Sequence, residues 1–206
     1  MTSSAEIRVP LWRRIMGDEF DHLPTTVRQM FDHNGHRYAR GSSDVVCGDS
    51  LLARLCVALS GFPKPGFDIP TSILFQADGS ADIWHRSFGP RRFSSVHLER
   101  DGLLLERFGA LTFVFRLSGD AGGVTFTMIE TQLFGLALPR VLSPRISATQ
   151  TETNGRFRFE IMVDLPVIGS MVRMTGTLGN SWAVPTQAEA RQPQPMIHRL
   201  TATSQI

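Results

Sequence analysis

The stretch RFRFEIMVDL, residues 156–165, decides the fold, because its side chains alternate between polar and apolar without interruption. A period of two places every second side chain on the same face of a β-strand. The apolar face consists of Phe157, Phe159, Ile161, Val163 and Leu165. The stretch therefore predicts a strand with one face against a core and the other toward water.

Similar alternation extends from this strand in both directions and covers residues 68–178. Short turns built on Asp-Gly, Gly-Pro and Asn-Gly separate the strands, and consecutive strands joined by such turns pair antiparallel. Pro139 and Pro144 make a long strand unfavourable between them. The predicted strands are 68–77, 81–88, 92–100, 102–108, 110–118, 123–133, 145–153, 156–165 and 169–178.

The segment ahead of these strands has a helical period. Residues 10–34 predict two helices, which begin near Pro10 and Pro24. A further strand is predicted at 36–48, and a short buried helix at 50–61. About nine strands are more than a flat sheet holds comfortably, so the sheet is expected to curl or close. The predicted fold class is α+β, with a large curved antiparallel sheet or open barrel and two or three N-terminal helices packed against it.

The chain of 206 residues fits one domain with tails. We expect residues 10–182 to form this single α+β domain, and residues 1–9 to be a disordered N-terminus. Residues 183–206 are rich in Pro and Gln and have no periodic apolar face. They predict a flexible C-terminal tail that can be removed without loss of folding.

Composition and motifs exclude several classes of function. The 21 basic residues barely exceed the 19 acidic ones and form no long block, so no nucleic-acid partner is expected. No apolar run approaches the length of a membrane span and no signal peptide is evident, which predicts a cytoplasmic protein without a transmembrane segment. Neither the two cysteines nor the six histidines have the spacing of metal ligands. Phosphate-binding and dinucleotide-binding motifs are also missing, so we expect no metal and no cofactor.

Polar side chains within apolar strand faces are the candidates for function, since a buried polar group needs a partner. Arg86 is predicted to share a face with Trp84 and Phe88, and His97 lies on an apolar face of the next strand. Glu130 is placed on the face of Val124, Phe126 and Met128. Each of these groups is expected to have a structural partner, to lie on an outward face of the sheet, or to bind a ligand.

Two functions are compatible with this pattern. In the first, a cavity of the curved sheet binds a hydrophobic small molecule, lipid-like or polyketide- or terpenoid-like, with Trp84, Arg86, Phe88 and Phe126 as ligand-binding residues. In the second, the protein is a cofactor-independent cyclase or isomerase of such a metabolite, with Glu130 and His97 as the catalytic acid and base. The oligomeric state is left open.

Six blocks of this chain resemble a known bacterial family, called domain of unknown function 4166. The blocks are LWRRIMGDEFDHLP, GFP, WHRSFGPRRFSS, LLERFGAL, LPRVLSPR and GRFRFEIMVDLPVIGSMVRMTGTL, between residues 11 and 178. The resemblance implies no established activity and no catalytic residues. Its recurring blocks coincide with Trp84, Arg86, Phe88, Arg92, Phe93, Glu106, Arg107, Phe108 and Gly109. We interpret Arg86 and Arg92 as partners for Glu106 and for a neighbouring carboxylate.

Overall fold

A computed structural model describes residues 9–50, 63–166, 168–179 and 182–184. The helices come first: α1 is Leu11–Met16, a 3₁₀ helix is Gly17–His22, and α2 is Thr25–Phe31. Pro10 and Pro24 hold extended backbone immediately before α1 and α2, so each proline begins a helix as predicted. The helix expected at 50–61 lies outside the described residues, except for its first position.

In the described chain twelve strands follow the helices, and they agree closely with the predicted ones. They are β1 His36–Cys47, β2 Gly66–Asp78, β3 Ala81–Phe88, β4 Arg91–Arg100, β5 Leu103–Phe108, β6 Leu111–Asp120, β7 Gly123–Leu133, β8 Leu136–Ala137, β9 Arg145–Thr153, β10 Arg156–Leu165, β11 Gly169–Leu178 and β12 Trp182–Val184.

Ten of these strands form a closed antiparallel barrel. Strands β1 to β7 and then β9 to β11 pair with their neighbours in chain order, and β11 pairs back onto β1. The short strand β8 pairs with the end of β7, and β12 pairs with the start of β1. The predicted α+β fold with a curled antiparallel sheet is therefore confirmed, and the sheet is closed. A ten-stranded barrel is wide enough to hold more than its own side chains.

One end of the barrel, here called the helix end, is filled by α1 and α2. The indole of Trp12 stacks on Phe31 with ring centroids 4.2 Å apart and on Trp84 at 5.5 Å. Phe126 and His97 complete the ring cluster around Trp12. Inward-facing side chains near this end are fully buried, and they include Phe75, Leu104, Phe115, Phe157 and Leu178. The opposite end, where β3 turns into β4 and β7 into β8, is called the open end because none of the described helices covers it.

Barrel closure depends on Gly41, where β1 pairs with both β2 and β11. A Cβ at this position would collide with the backbone carbonyl of Thr177. We expect Gly41→Ala to lower the free energy of unfolding by roughly 1–3 kcal/mol, because the colliding atom belongs to the backbone of β11. Gly35→Ala is the matched control, since a Cβ at Gly35 meets no atom within 4 Å. Equal urea midpoints for the two variants would contradict this role of Gly41.

Candidate functional site

Four polar side chains meet inside the barrel between strands β3, β4 and β5. Arg86 donates from Nη2 to Oε1 of Glu106 at 2.8 Å and from Nη1 to Oγ of Ser95 at 2.6 Å. Ser95 donates to the same Oε1 at 2.9 Å, and Nε2 of His97 lies 3.1 Å from it. The register creates this cluster, because Trp84 lies opposite Ser95 and His97 lies opposite Glu106. The predicted pair of Arg86 and Glu106 is confirmed.

Aromatic rings surround the guanidinium of Arg86. Its Cζ lies 4.6 Å from the ring centroid of Trp84 and 5.9 Å from those of Phe93 and Phe108. A cation near the face of an aromatic ring is stabilised by the ring quadrupole, more strongly where water is excluded. The charge of Arg86 is therefore held in place by both rings and a carboxylate.

The carboxyl of Glu106 stays ionised in this environment. Burial by itself raises the pKa of Glu106, but the charge of Arg86, the neighbouring His97 and the hydrogen bonds from His97 and Ser95 together hold this pKa well below its usual range. The group is consequently an anion throughout the physiological pH range. It can accept a hydrogen bond or stabilise positive charge, and it is a weak base.

Acid is expected to weaken the fold through Glu106. A carboxyl with a lower pKa in the folded state stabilises the fold fully above its unfolded pKa of about 4.3, and this contribution is lost as the pH falls toward the folded value. The free energy of unfolding, measured with urea at several values between about pH 6 and pH 3, should therefore fall less steeply in Glu106→Gln than in the wild type. The same slope in both proteins would mean that Glu106 is not paired in solution.

The two oxygens of Glu106 differ in their contacts. All three contacts described above converge on Oε1, and Oε2 receives no hydrogen bond from the described residues. The Glu106 side chain nevertheless keeps 14% of its surface accessible, and Arg86 keeps 11%. Oε2 is therefore an acceptor that no described residue satisfies, on a side chain that keeps some accessible surface.

Several inward-facing apolar side chains lie in the open-end half of the barrel. Some of them are partly buried and pack against the core, while Phe88 and Val163 in the same half are buried. The partly buried side chains lie on strands β4, β5, β6, β7, β9 and β10. These side chains are Phe93, Phe108, Phe113, Met128, Ile146 and Ile161. The barrel interior around these side chains, here called the lumen, is thus lined mainly by apolar groups, with one charged cluster in its wall.

Five of the six predicted site residues face the barrel interior. Trp84, Phe88, Phe126 and His97 are buried there, and Arg86 lies in the charged cluster. The ring centroids of Trp84 and His97 lie 4.4 Å apart. Phe126 lies deeper, against Trp12 of the helices.

Glu130 lies on the other face of the sheet, and its predicted face is wrong. A bulge in β7 shifts the register, so that Met128 pairs with Phe115 but Glu130 pairs with Val114. After the bulge, the alternation of inward and outward side chains is reversed. Thr131 therefore points inward and is buried, and Glu130 does not point inward. Glu130 lies on the outer face of the barrel and accepts a hydrogen bond from Gln132 at 2.6 Å.

Two functional features were missed in the sequence. Glu106 is predicted only as the structural partner of an arginine. The sequence does not show that three donors meet at Oε1 and that no described residue bonds to Oε2. Asp82 was not singled out, although it is buried and its Oδ2 accepts hydrogen bonds from Trp84 at 2.9 Å and Trp12 at 3.3 Å. Its position two residues before Trp84, on the inward face, is the signal that was available.

A second buried pair joins the helices to the barrel. Nε2 of His33 lies 3.6 Å from Oδ2 of Asp82, and both side chains are almost fully buried. Burial lowers the pKa of His33, and the charge of Asp82 opposes this without reversing it. This contact lies between the α2–β1 connection and β3, at the helix end of the barrel.

Other parts of the described chain contain none of the predicted site residues in a groove or a metal-binding group. An open groove of about 460 Å³ lies between β1, β2 and β3 and is lined mainly by polar residues, among them Arg40, Ser72, Ser87 and Arg156. None of the predicted site residues lines it. Among the described residues, no three potential metal ligands are grouped together. No helix in that part of the chain has the length and apolarity needed to cross a membrane.

The family is decided by a comparison with protein-family models. The model of a domain of unknown function, DUF4166, matches residues 23–178, which is most of the chain. The chain belongs to the DUF4166 family. The strands that supply Trp84, Arg86 and Glu106 lie within the matched region, so the charged cluster is built entirely from the DUF4166 domain.

The other comparisons add little about function. No curated protein matches the chain. Among solved structures, a protein of unknown function from the DUF3598 family of Nostoc punctiforme is similar, with 11% identity and a TM-score of 0.42. The match covers 71% of this chain and 46% of that one, so this DUF4166 chain aligns with less than half of the other protein.

Proposed function

We propose that this DUF4166 protein binds a hydrophobic small molecule in the lumen of its barrel. The observation that carries the proposal is Oε2 of Glu106, an anionic acceptor that receives no hydrogen bond from the described residues and lies in a wall of mainly apolar side chains. A ligand donor bound to this oxygen would form a charge-assisted hydrogen bond, which is stronger than one between neutral groups.

The ligand that fits this site has two parts. Its body is apolar, because the wall of the lumen includes the partly buried side chains of Phe93, Phe113, Met128 and Ile161. Its polar group is a hydrogen-bond donor, such as a hydroxyl or an amine, because Glu106 is an anion and offers only acceptor atoms. A lipid-like or polyketide- or terpenoid-like alcohol meets both requirements.

Binding is expected to depend on the lumen and can be measured with N-phenyl-1-naphthylamine, an apolar fluorophore with one N–H donor. Met128→Trp adds volume to the inward face, and Thr127→Trp adds the same side chain to the outward face of the same strand. The wild type and Thr127→Trp should bind the probe saturably, and Met128→Trp should bind at least about tenfold more weakly, since overpacking the lumen costs roughly 1–3 kcal/mol. Equal affinity in all three proteins would place the probe elsewhere.

A cofactor-independent cyclase or isomerase is the second candidate function. It is favoured by the contact of His97 with Glu106, which places an imidazole and a carboxylate beside an apolar space. The aromatic rings near Arg86 and the anionic Glu106 would stabilise positive charge that develops on a bound metabolite. In this function Glu106 and His97 carry the chemistry.

The enzyme is distinguished from the binding module by two carboxylate variants. The compound that copurifies from the native host is incubated with the wild type, Glu106→Gln and Glu130→Gln, and its conversion is followed by mass spectrometry. An enzyme should lose conversion in Glu106→Gln and keep it in Glu130→Gln, because Glu130 lies on the outer face. If the wild type does not convert the compound, only the binding function remains. If Glu130→Gln loses conversion, Glu130 is the catalytic carboxylate.

A further inference from the structure

Four exposed apolar side chains lie close together in the sequence at the open end of the barrel. Phe134 is 81% exposed and Leu136 is 75% exposed, at the turn between β7 and β8. Val141 and Leu142 follow in the connection to β9, and both are exposed. Residues 133–145, together with the β3–β4 turn at the same end, are here called the open rim. Exposed apolar side chains concentrated in one place mark an interaction surface.

The turn that presents Phe134 is strained. Leu133 pairs with Leu136, so Phe134 and Gly135 form a two-residue turn, with φ of 52° and 81°. Turns with positive φ at both positions favour Asn-Gly, since a bulky side chain is unfavourable there. Phe134 therefore costs stability twice, through its backbone conformation and through its exposure to water. Strain of this kind concentrates at functional sites.

The rest of the rim is held in a defined conformation. The amide of Leu138 donates to the carbonyl of Thr131 at 2.8 Å, and Oγ of Ser143 donates to Oγ1 of Thr131 at 2.8 Å. The amide of Leu142 donates to the carbonyl of Pro139 at 2.9 Å. Because these bonds fix the connection on the buried Thr131, the exposed apolar side chains project from an ordered support.

The charges on the open rim are mainly positive. Arg140 and Arg145 are exposed, and no acidic residue lies between Glu130 and Glu152. The β3–β4 turn adds the exposed Arg91 and Arg92, in a region without an acid between Asp82 and Glu99. The predicted pairing of Arg92 was wrong, since this side chain is exposed and forms no ion pair with a described residue. The exposed acids nearest this end in the described chain are Asp49 just after β1, Asp68 on β2 and Asp164 on β10.

We propose that the open rim docks on an anionic lipid surface. Phe134 and Leu136 would enter the boundary between headgroups and acyl chains, and the four arginines would contact the headgroups. Positive charge among the apolar side chains favours this surface over an uncharged partner or a second copy of the same positive rim. The docking is independent of the proposed ligand, although it would place the lumen mouth on a source of apolar molecules.

The test is sedimentation with vesicles of phosphatidylcholine alone and of phosphatidylcholine with about 30% phosphatidylglycerol. The wild type should bind the anionic vesicles at least about tenfold more strongly, and more weakly at high salt. Arg140→Gln should weaken binding by about fivefold. Phe134→Asn should weaken it by about tenfold and keep or raise the melting temperature, because Asn suits the turn.

Val9→Ser is the matched control, since Val9 is exposed at the helix end and should have no effect on binding. Light scattering of the free protein separates lipid docking from self-association. A wild type that binds neither vesicle, or that binds both equally, overturns the proposal. A dimer that depends on the open rim, without vesicle binding, also overturns it. If Phe134→Asn binds vesicles as tightly as the wild type, the open rim does not take part in binding.

Discussion

Glu106→Ala is expected to lower the free energy of unfolding by about 3–5 kcal/mol, because it leaves the charge of Arg86 inside the barrel without its carboxylate. Arg86 keeps only 11% of its side-chain surface accessible, so water cannot replace the lost partner fully. The effect is measured by urea unfolding at neutral pH. Glu160→Ala is the control, since its ion pair with Arg173 is long, at 4.0 Å, and exposed, and should contribute less than about 1 kcal/mol.

A double-mutant cycle separates the pair from the damage done by each single change. Glu106→Ala, Arg86→Ala and the double variant are expected to give a coupling energy above about 1 kcal/mol, since the residues share a buried hydrogen bond. Additive effects would reject the pair, even if both single variants are destabilised.

Trp12→Ala is expected to lower the free energy of unfolding by about 3–5 kcal/mol, because the indole fills the helix end of the barrel. Trp12 is 1% exposed and packs on the rings of Phe31 and Trp84. Trp12→Phe keeps an aromatic ring and removes the donor to Asp82, so it should cost less, roughly 1–3 kcal/mol.

The matched control for the helix end is Arg14→Ala, on the exposed face of the same helix. It should change the free energy of unfolding by about 0.5 kcal/mol or less. If Trp12→Ala were no more damaging than Arg14→Ala, the helices would not close the barrel in solution.

Local patterns in the sequence predict most of the fold. The alternation of β10 places Phe157, Phe159 and Val163 in the core, and the structure buries all three. Alternation is a local property of a strand, and the tight turns between strands determine which strands are neighbours. Antiparallel neighbours in chain order follow from these two facts alone.

The same reasoning fails where the backbone departs from a period of two. The bulge in β7 moves Glu130 to the outer face, and nothing in the residues 123–133 marks its position. A bulge depends on how two strands fit around a curved barrel, so it is a property of the whole sheet. The predicted catalytic role of Glu130 relied on an uninterrupted alternation.

The candidate site is predictable in part. Arg86 and Glu106 were paired correctly, because two opposite charges on apolar faces of nearby strands need each other. The distribution of hydrogen bonds between the two oxygens of Glu106 could not be predicted, since it depends on the stagger of β3, β4 and β5 to within one residue.

Native mass spectrometry of the protein purified from its own host tests the central claim, that the lumen binds an apolar molecule. We predict a noncovalent adduct of an apolar compound with a donor group on the wild type and on Thr127→Trp, and its loss from Met128→Trp. A folded wild type that carries no adduct and does not bind N-phenyl-1-naphthylamine, or an adduct that Met128→Trp retains in full, would contradict a ligand in the lumen.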